Sequence, residues 1–369
     1  MNELTFKSNS KSNRNVVSKK MNWKLKLFAF ILIPLGLLSG CGEPLTLEQM
    51  LPVTAGNTNE IYVFCDSKIW KDTVGGYLNA QLIQTIDHMS QPEQLFTVSQ
   101  FELTSADKAR MTHRNVIKVE INDRNENKNA RLVRSSDEWA KGQLMYSFKG
   151  PNSEKVMELI QIELPGIIEE IKKKEMVRFH EKFIDKPNKT SQRKLKTERG
   201  INLNVPNKLN LQYNREHFAW MEARGQGPEG KKVLHQGVFV YHYPYTNDST
   251  FSYEFLIAKR NEMLKAHVQG NTKGSYLTTI TEEGRQPEIK EINFNGEYAI
   301  EMRGLFDMKN GFMGGPFVSV TTFDKVNGRI VTIEGYCYSP ALLQRDYLHE
   351  MEAVIYSATF DAMSVQAQN

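Results

Sequence analysis

Between residues 297 and 338 the chain carries three apolar runs, EYAIEMRGLF, PFVSVTTF and GRIVTIEGYCY, parted only by stretches containing Met-Lys-Asn-Gly and Val-Asn-Gly. Runs this short, rich in β-branched and aromatic residues and broken at Asn-Gly, predict antiparallel strands joined by tight turns. KKVLHQGVFVYHYPY (231–245) has the same character, and HFAWMEAR and the Pro-interrupted INLNVPNKLNLQ precede it. A sheet must cover its apolar face. Helical spacing predicts covering helices near 252–268 and 339–360, the latter with Ser339 as N-cap and Pro340 at the first helical position.

The first half has the same ingredients. IYVFC (61–65), LFTVSQFEL (95–103), NVIKVEI (115–121) and GQLMYSF (142–148) predict strands. Residues 66–89 and about 153–183 have helical periodicity, and Pro165 is expected to kink or split the second helix. The reading is an α+β protein of mainly antiparallel sheets flanked by helices, with lobes at 59–185 and 201–369. The shared order of elements admits a distant duplication, although no residue-level repeat is visible. Between the lobes, KPNKTSQRKLKTER within 186–200 predicts a basic, solvated linker.

The amino end speaks to location. Lys24 and Lys26 precede an apolar run from Leu27 to Leu38. Twelve residues span about 18 Å, whereas a bilayer core of about 30 Å needs roughly 20. The run therefore predicts a cleaved signal rather than a permanent span. Leu38-Ser39-Gly40-Cys41 resembles the bacterial lipobox, which implies a lipidated Cys41 at the mature amino end. Two or three acyl chains anchor stably where one is marginal. Signal n-regions are usually short, so either Met21-Asn22-Trp23-Lys24 is the start and Met1 an over-extended one, or the n-region is long; either way these residues are expected to be absent from the mature protein. Residues 1–40 then form the signal and 41–58 a tether.

Cleavage reverses the charge balance. The whole chain has 47 basic and 43 acidic residues, net +4, but seven of the basic residues and only one acidic residue lie before Cys41. The mature chain is net −2, so bulk charge gives no argument for nucleic-acid binding. Two further cysteines, Cys65 and Cys337, lie in apolar runs. They read as small buried hydrophobes, with a disulfide as the rival.

Motifs of catalysis are weak. GQGPEG (225–230) matches GxGxxG, but Pro228 removes an amide and a strand follows where a dinucleotide site needs a helix. Neither HExxH nor GxSxG occurs, and the histidines are scattered. No cofactor or metal is expected. Ser319, after a Gly-Gly-Pro turn, is the one serine worth locating. Tyr241, Tyr243 and Tyr245 share a strand face and read as core before glycan platform. In FMGGPFVS, Phe312, Met313, Gly314, Gly315 and Phe317 form a candidate interaction loop, since paired glycines allow close approach and the apolar residues could anchor a partner. Burial of these aromatics against a helix is the competing reading.

MRGLFDMKNGFMGGPFVS (302–319), RIVTIEGYCYSP (329–340) and RDYLHEMEAVIYSATF (345–360) resemble an uncharacterised lipoprotein family of Bacteroidota, a family of domains of unknown function. RNEMLKAHVQGN, DSKIWKDTVGGYL and the Leu38–Cys41 motif fit it too. Strand and helix order has a fainter similarity to PsbP-like and Mog1-like sandwiches. The resemblance implies an envelope lipoprotein without assigning an activity. Expected, then, is a non-enzymatic binding protein, held by lipid on Cys41 to the periplasmic face of the outer membrane rather than the cell surface. Its partner would be an envelope protein or glycan. The alternative is a periplasmic hydrolase of an envelope polymer.

Overall fold

Strand pairing follows different rules in the two lobes. The computed structural model describes residues 51–122, 128–215, 217–226 and 233–363. Cys41, with the signal and most of the tether, lies outside the described residues.

The N-terminal sheet contains β1 (Glu60–Phe64), β2 (Thr97–Phe101), β3 (Asn115–Ile121), β4 (Arg131–Ser136) and β5 (Leu144–Gly150), in the order β2-β1-β3-β5-β4. β1 pairs in parallel with β2 and β3, and β3 with β5; only β4–β5 is antiparallel. This corrects the antiparallel expectation for this lobe. Alternation encodes which face is buried, not strand direction. Direction is set here by long crossovers, the first through α1 (Ser67–Trp70) and α2 (Thr73–Leu82). Since the C-terminal lobe is antiparallel, the lobes are not copies of one topology.

One face of this sheet, with Ile61, Val63, Ile117, Val119, Tyr146 and Phe148, buries against α2 and the first half of α4 (Ser153–Asp185). A smaller cluster of Phe64, Met111 of α3 (Lys108–Met111), Val116 and Met145 lies on the other face. α4 runs unbroken for 33 residues through Pro165, so the expected split does not occur. Its apolar stripe, including Ile160, Leu164, Ile167 and Ile171, keeps the same face on the sheet across that position.

The C-terminal sheet contains β7 (Asn210–Arg215), β8 (Phe218–Gln226), β9 (Val233–Pro244), β10 (Tyr276–Thr279), β11 (Glu288–Phe294), β12 (Glu297–Lys309), β13 (Gly314–Asp324) and β14 (Arg329–Tyr338). Their order is β10-β12-β13-β14-β9-β8-β7, and β11 also pairs with β12. All pairings are antiparallel. Helices on both faces explain its nearly continuous apolar strands. Phe239, Tyr241 and Tyr243 turn to α6 (Tyr253–His267), while Val238 and Val240 turn to α7 (Arg345–Tyr356). Gly335 is required where α7 crosses, because a Cβ there would lie 2.6 Å from the Met351 Cβ.

α4 also serves this lobe. Its Phe179 and Phe183 join the core beneath α7, so one helix carries the cores of both lobes. The expected linker is largely helical as well. α5 (Lys189–Arg199) buries Leu195 and Arg199 and ends on Gly200, whose φ of +63° gives a left-handed cap. A short ladder of β6 (Ile201–Asn202) with β15 (Thr359–Phe360) follows.

Candidate functional site

The residues from Ile83 to Phe96, expected in part to be helical, form a loop after α2 that faces β11 and β12 across a cleft of about 540 Å³. That volume is within the roughly 300–1,000 Å³ range of small-ligand sites. Ile168 and Lys172 of α4 line one wall, and Leu348, His349 and Glu352 of α7 close the inner end.

The floor is an ion network. Arg303 of β12 donates through Nε to Glu301 Oε1 (2.8 Å) and through Nη1 to Glu352 Oε1 (2.7 Å). Tyr356 donates its hydroxyl to Glu301. Residues 301 and 303 are two apart on one strand, so both face α7. Burial pushes the Glu352 carboxyl up, and the Arg303 guanidinium overrides it, holding the group below the usual carboxylate range.

At the inner end Asn59 Nδ2 donates to Asp346 Oδ1 (2.8 Å) and lies 3.1 Å from His349 Nδ1. An amide nitrogen only donates, so Nδ1 accepts and the neutral ring carries its proton on Nε2. Burial lowers the His349 pKa despite the neighbouring Glu352, in agreement with that neutral state. Asn59 holds this position at φ +55°, a conformation asparagine tolerates better than most residues.

The start of α7 is fixed from the other lobe. Ser339 is no cap: its hydroxyl donates to the Val233 carbonyl, and the helix begins at Arg345 after Gln344. The buried Glu93 carboxylate instead accepts the backbone N–H groups of Gln344 and Arg345, at 2.7 Å each. A carboxylate here satisfies orphan donors and complements the helix dipole. Arg345 Nη1 returns the contact by donating to the Gln94 carbonyl (2.9 Å). Glu93→Ala is expected to lower stability by about 1–3 kcal/mol, with Glu93→Gln in between, measured by urea denaturation. An unchanged midpoint in the alanine variant would remove the cross-lobe cap from this account.

The sequence-predicted loop is divided by the structure. Phe312 is fully exposed at the β12–β13 hairpin, whereas Phe317 is 1% exposed under the guanidinium of Arg260, 3.6 Å from its ring centroid. Met313 is half-buried against the α6-side core, and Gly314 and Gly315 open β13. A Cβ on Gly315 would lie 2.0 Å from the Cys337 carbonyl, so that glycine serves strand packing. Phe317 thus cannot act with Phe312 as a surface anchor. Tyr241 and Tyr243 are core, and Tyr245 is exposed. Gly225 and Gln226 of the GxGxxG match end β8, which pairs antiparallel with β9; the rest of the match, 227–230, lies outside the described residues. Ser319 is buried in β13. Cys65 and Cys337 are both free and buried, in different lobes, which rules out the disulfide. Burial raises both thiols, Cys65 to about 12, so neither forms an ordinary thiolate. Among the described residues no group of three or more His, Cys, Asp or Glu is placed to hold a metal ion.

Sequence reasoning missed Glu301, Arg303, His349 and Glu352 as a group. The signals were present: opposite charges two apart inside an apolar strand, and His and Glu three apart on an amphipathic helix.

The fold and site define a two-lobed α+β protein with a polar cleft between its sheets. Residues 54–184 match the model of a domain of unknown function (DUF8532). Residues 188–357 match that of a second domain of unknown function (DUF4837). The matches meet at the junction of α4 and α5. No curated protein matches the chain.

Proposed function

We propose that this chain is an envelope lipoprotein, anchored through lipid on Cys41 to the periplasmic face of the outer membrane, which binds a partner in the cleft between its lobes. The anchor is supported by the order of basic flank, short apolar run, small residues and cysteine at 24–41.

The observation that carries binding over catalysis is the state of the two carboxylates tied to Arg303 on the cleft's floor. Hydrolysis of a glycan by paired carboxylates needs one held protonated as a general acid. Here Glu301 and Glu352 are both tied to Arg303, and Glu352 is held below the usual range, hence ionised. Charges fixed in this way suit recognition.

Two measurements test the proposal. Cys41→Ser is expected to abolish processing and release the protein from the membrane fraction. Unchanged processing and retention of the variant would end the anchoring proposal. A photocrosslinking residue in place of Ile289, which lines the cleft and is 37% exposed, is expected to capture a specific envelope partner in intact cells. The same residue at exposed Val326 serves as control. Equal capture at both positions would refute cleft-directed binding.

A further inference from the structure

We infer that the partner's part inside the cleft is an extended peptide segment presenting an ammonium group. The inference rests on the cleft being the binding site. Its first support is charge. Among the described residues five carboxylates line the cleft, Glu288, Glu301 and Glu352 on its sheet-and-α7 side, against the cations Lys172, Lys290, Arg303 and Arg345. Arg345 is already turned to Asp346 and to the carbonyls of Gln94 and Leu95. Arg303 is shared between two carboxylates. The lining thus carries one formal negative charge in excess, and Glu352, bound to Arg303 through Oε1, keeps a second oxygen for a donor. A compact ammonium with three donors suits that place.

The second support is a backbone edge. Among the described strands β11 pairs with β12 alone, and its first residues, Glu288 to Lys290, border the cleft. A strand with one neighbour leaves alternate N–H and C=O groups unpaired, and these recognise an extended peptide by strand addition. Glu288 and Lys290 project on the same sheet face as Arg303 and Glu301, their cross-strand partners. A segment lying beside β11 thus brings its side chains over the acidic floor. Ile168, Leu95 and Leu348 flank that floor with apolar surface.

The test uses the detergent-solubilised full chain and titration calorimetry. The probes are acetyl-Ala-Lys-Val-Ala-amide, its Nε-acetyl-lysine form, and Ala-Ala-Val-Ala-amide with a free amino end. Binding of the first, weakened about 10-fold or more by lysine acetylation and by Glu352→Gln, is the expected result. Binding of the third, lost on amino-terminal acetylation, supports the inference with the chain terminus as the source of the ammonium. Glu282→Gln, at an exposed loop residue, is expected to change nothing. Glu352→Gln leaves Arg303 its two contacts to Glu301, and an unchanged denaturation midpoint checks that it folds. Absence of binding by every probe at millimolar concentration, or equal binding of the acetylated forms, overturns the inference. In-cell crosslinking at Ile289 would still stand in that case, so this failure is distinct from failure of the binding proposal.

Discussion

Replacing Arg260 by methionine is expected to destabilise the protein by about 3–5 kcal/mol, the usual result of removing one partner from a buried ion pair. Arg260 of α6 and Glu334 of β14 are 1% and 0% exposed in their side chains and meet in two parallel bonds, Nε to Oε2 at 2.8 Å and Nη2 to Oε1 at 2.7 Å. Arg260 Nη1 donates also to Thr279 Oγ1 (2.7 Å), and the guanidinium stacks on Phe317. Methionine keeps the volume but leaves a carboxylate without its counter-charge. The penalty should depend on pH. Burial raises the Glu334 carboxyl even with Arg260 opposing it, and in the variant that opposition is gone. A carboxyl whose folded-state pKa lies above its unfolded value binds its proton more tightly in the native state, so stability falls as pH rises through that range. The loss should be greatest near about pH 8 and smaller near about pH 5. Urea midpoints at both values measure this. The double variant Arg260→Met, Glu334→Leu should recover most of the loss, because neither charge then remains buried. A pH-independent loss, or no recovery in the double variant, would mean that packing around α6 and not the ion pair sets the cost.

The site and the fold differ in how far the sequence discloses them. β12, β13 and β14 are legible because apolar alternation and Asn-Gly turns are local signals, and Asn310 (φ +58°) and Gly328 (φ +65°) occupy the left-handed positions those turns need. β4 and β11 are not, because both are edge strands with mostly exposed, charged residues such as Arg131, Arg134, Glu288 and Lys290. The start of α7 is hidden for another reason. Its capping carboxylate, Glu93, is 251 residues away, so local signals at Ser339 and Pro340 point to the wrong turn. The cleft combines both obstacles. Arg303 lies within a stretch whose pattern reads as a strand, yet its partner Glu352 comes from α7, and His349 is oriented by Asn59 from the other lobe. Only the approach of two sheets along α4 turns these into a site.

That approach depends on the middle of α4, where Glu175→Leu is expected to cost about 3–5 kcal/mol. Glu175 is 1% exposed and accepts from Arg114 Nη1 (2.8 Å), from Asn115 Nδ2 (2.9 Å) and from Arg178 Nη1. Arg178 extends the network to the carbonyls of Arg114 (2.9 Å) and Gly142 (2.7 Å). The helix is thus pinned to the ends of β3 and β5 just before Phe179 and Phe183 enter the other lobe's core. Leucine fills the space but leaves two guanidinium groups without a carboxylate, and burial already depresses the Arg178 pKa. Glu175→Gln retains acceptors without charge and is expected to lose less. The two variants should also differ in cooperativity. With the network intact α4 transmits strain between the lobes and unfolding is a single transition; in Glu175→Leu the N-terminal sheet should melt first. Tyrosine absorbance, dominated by the C-terminal lobe, and hydrogen exchange in β1 and β3 would then follow separate urea curves. Coincident curves at a lowered midpoint would mean that the network stabilises the whole without linking its halves. A midpoint equal to wild type would remove Glu175 from any role in holding the cleft's walls together.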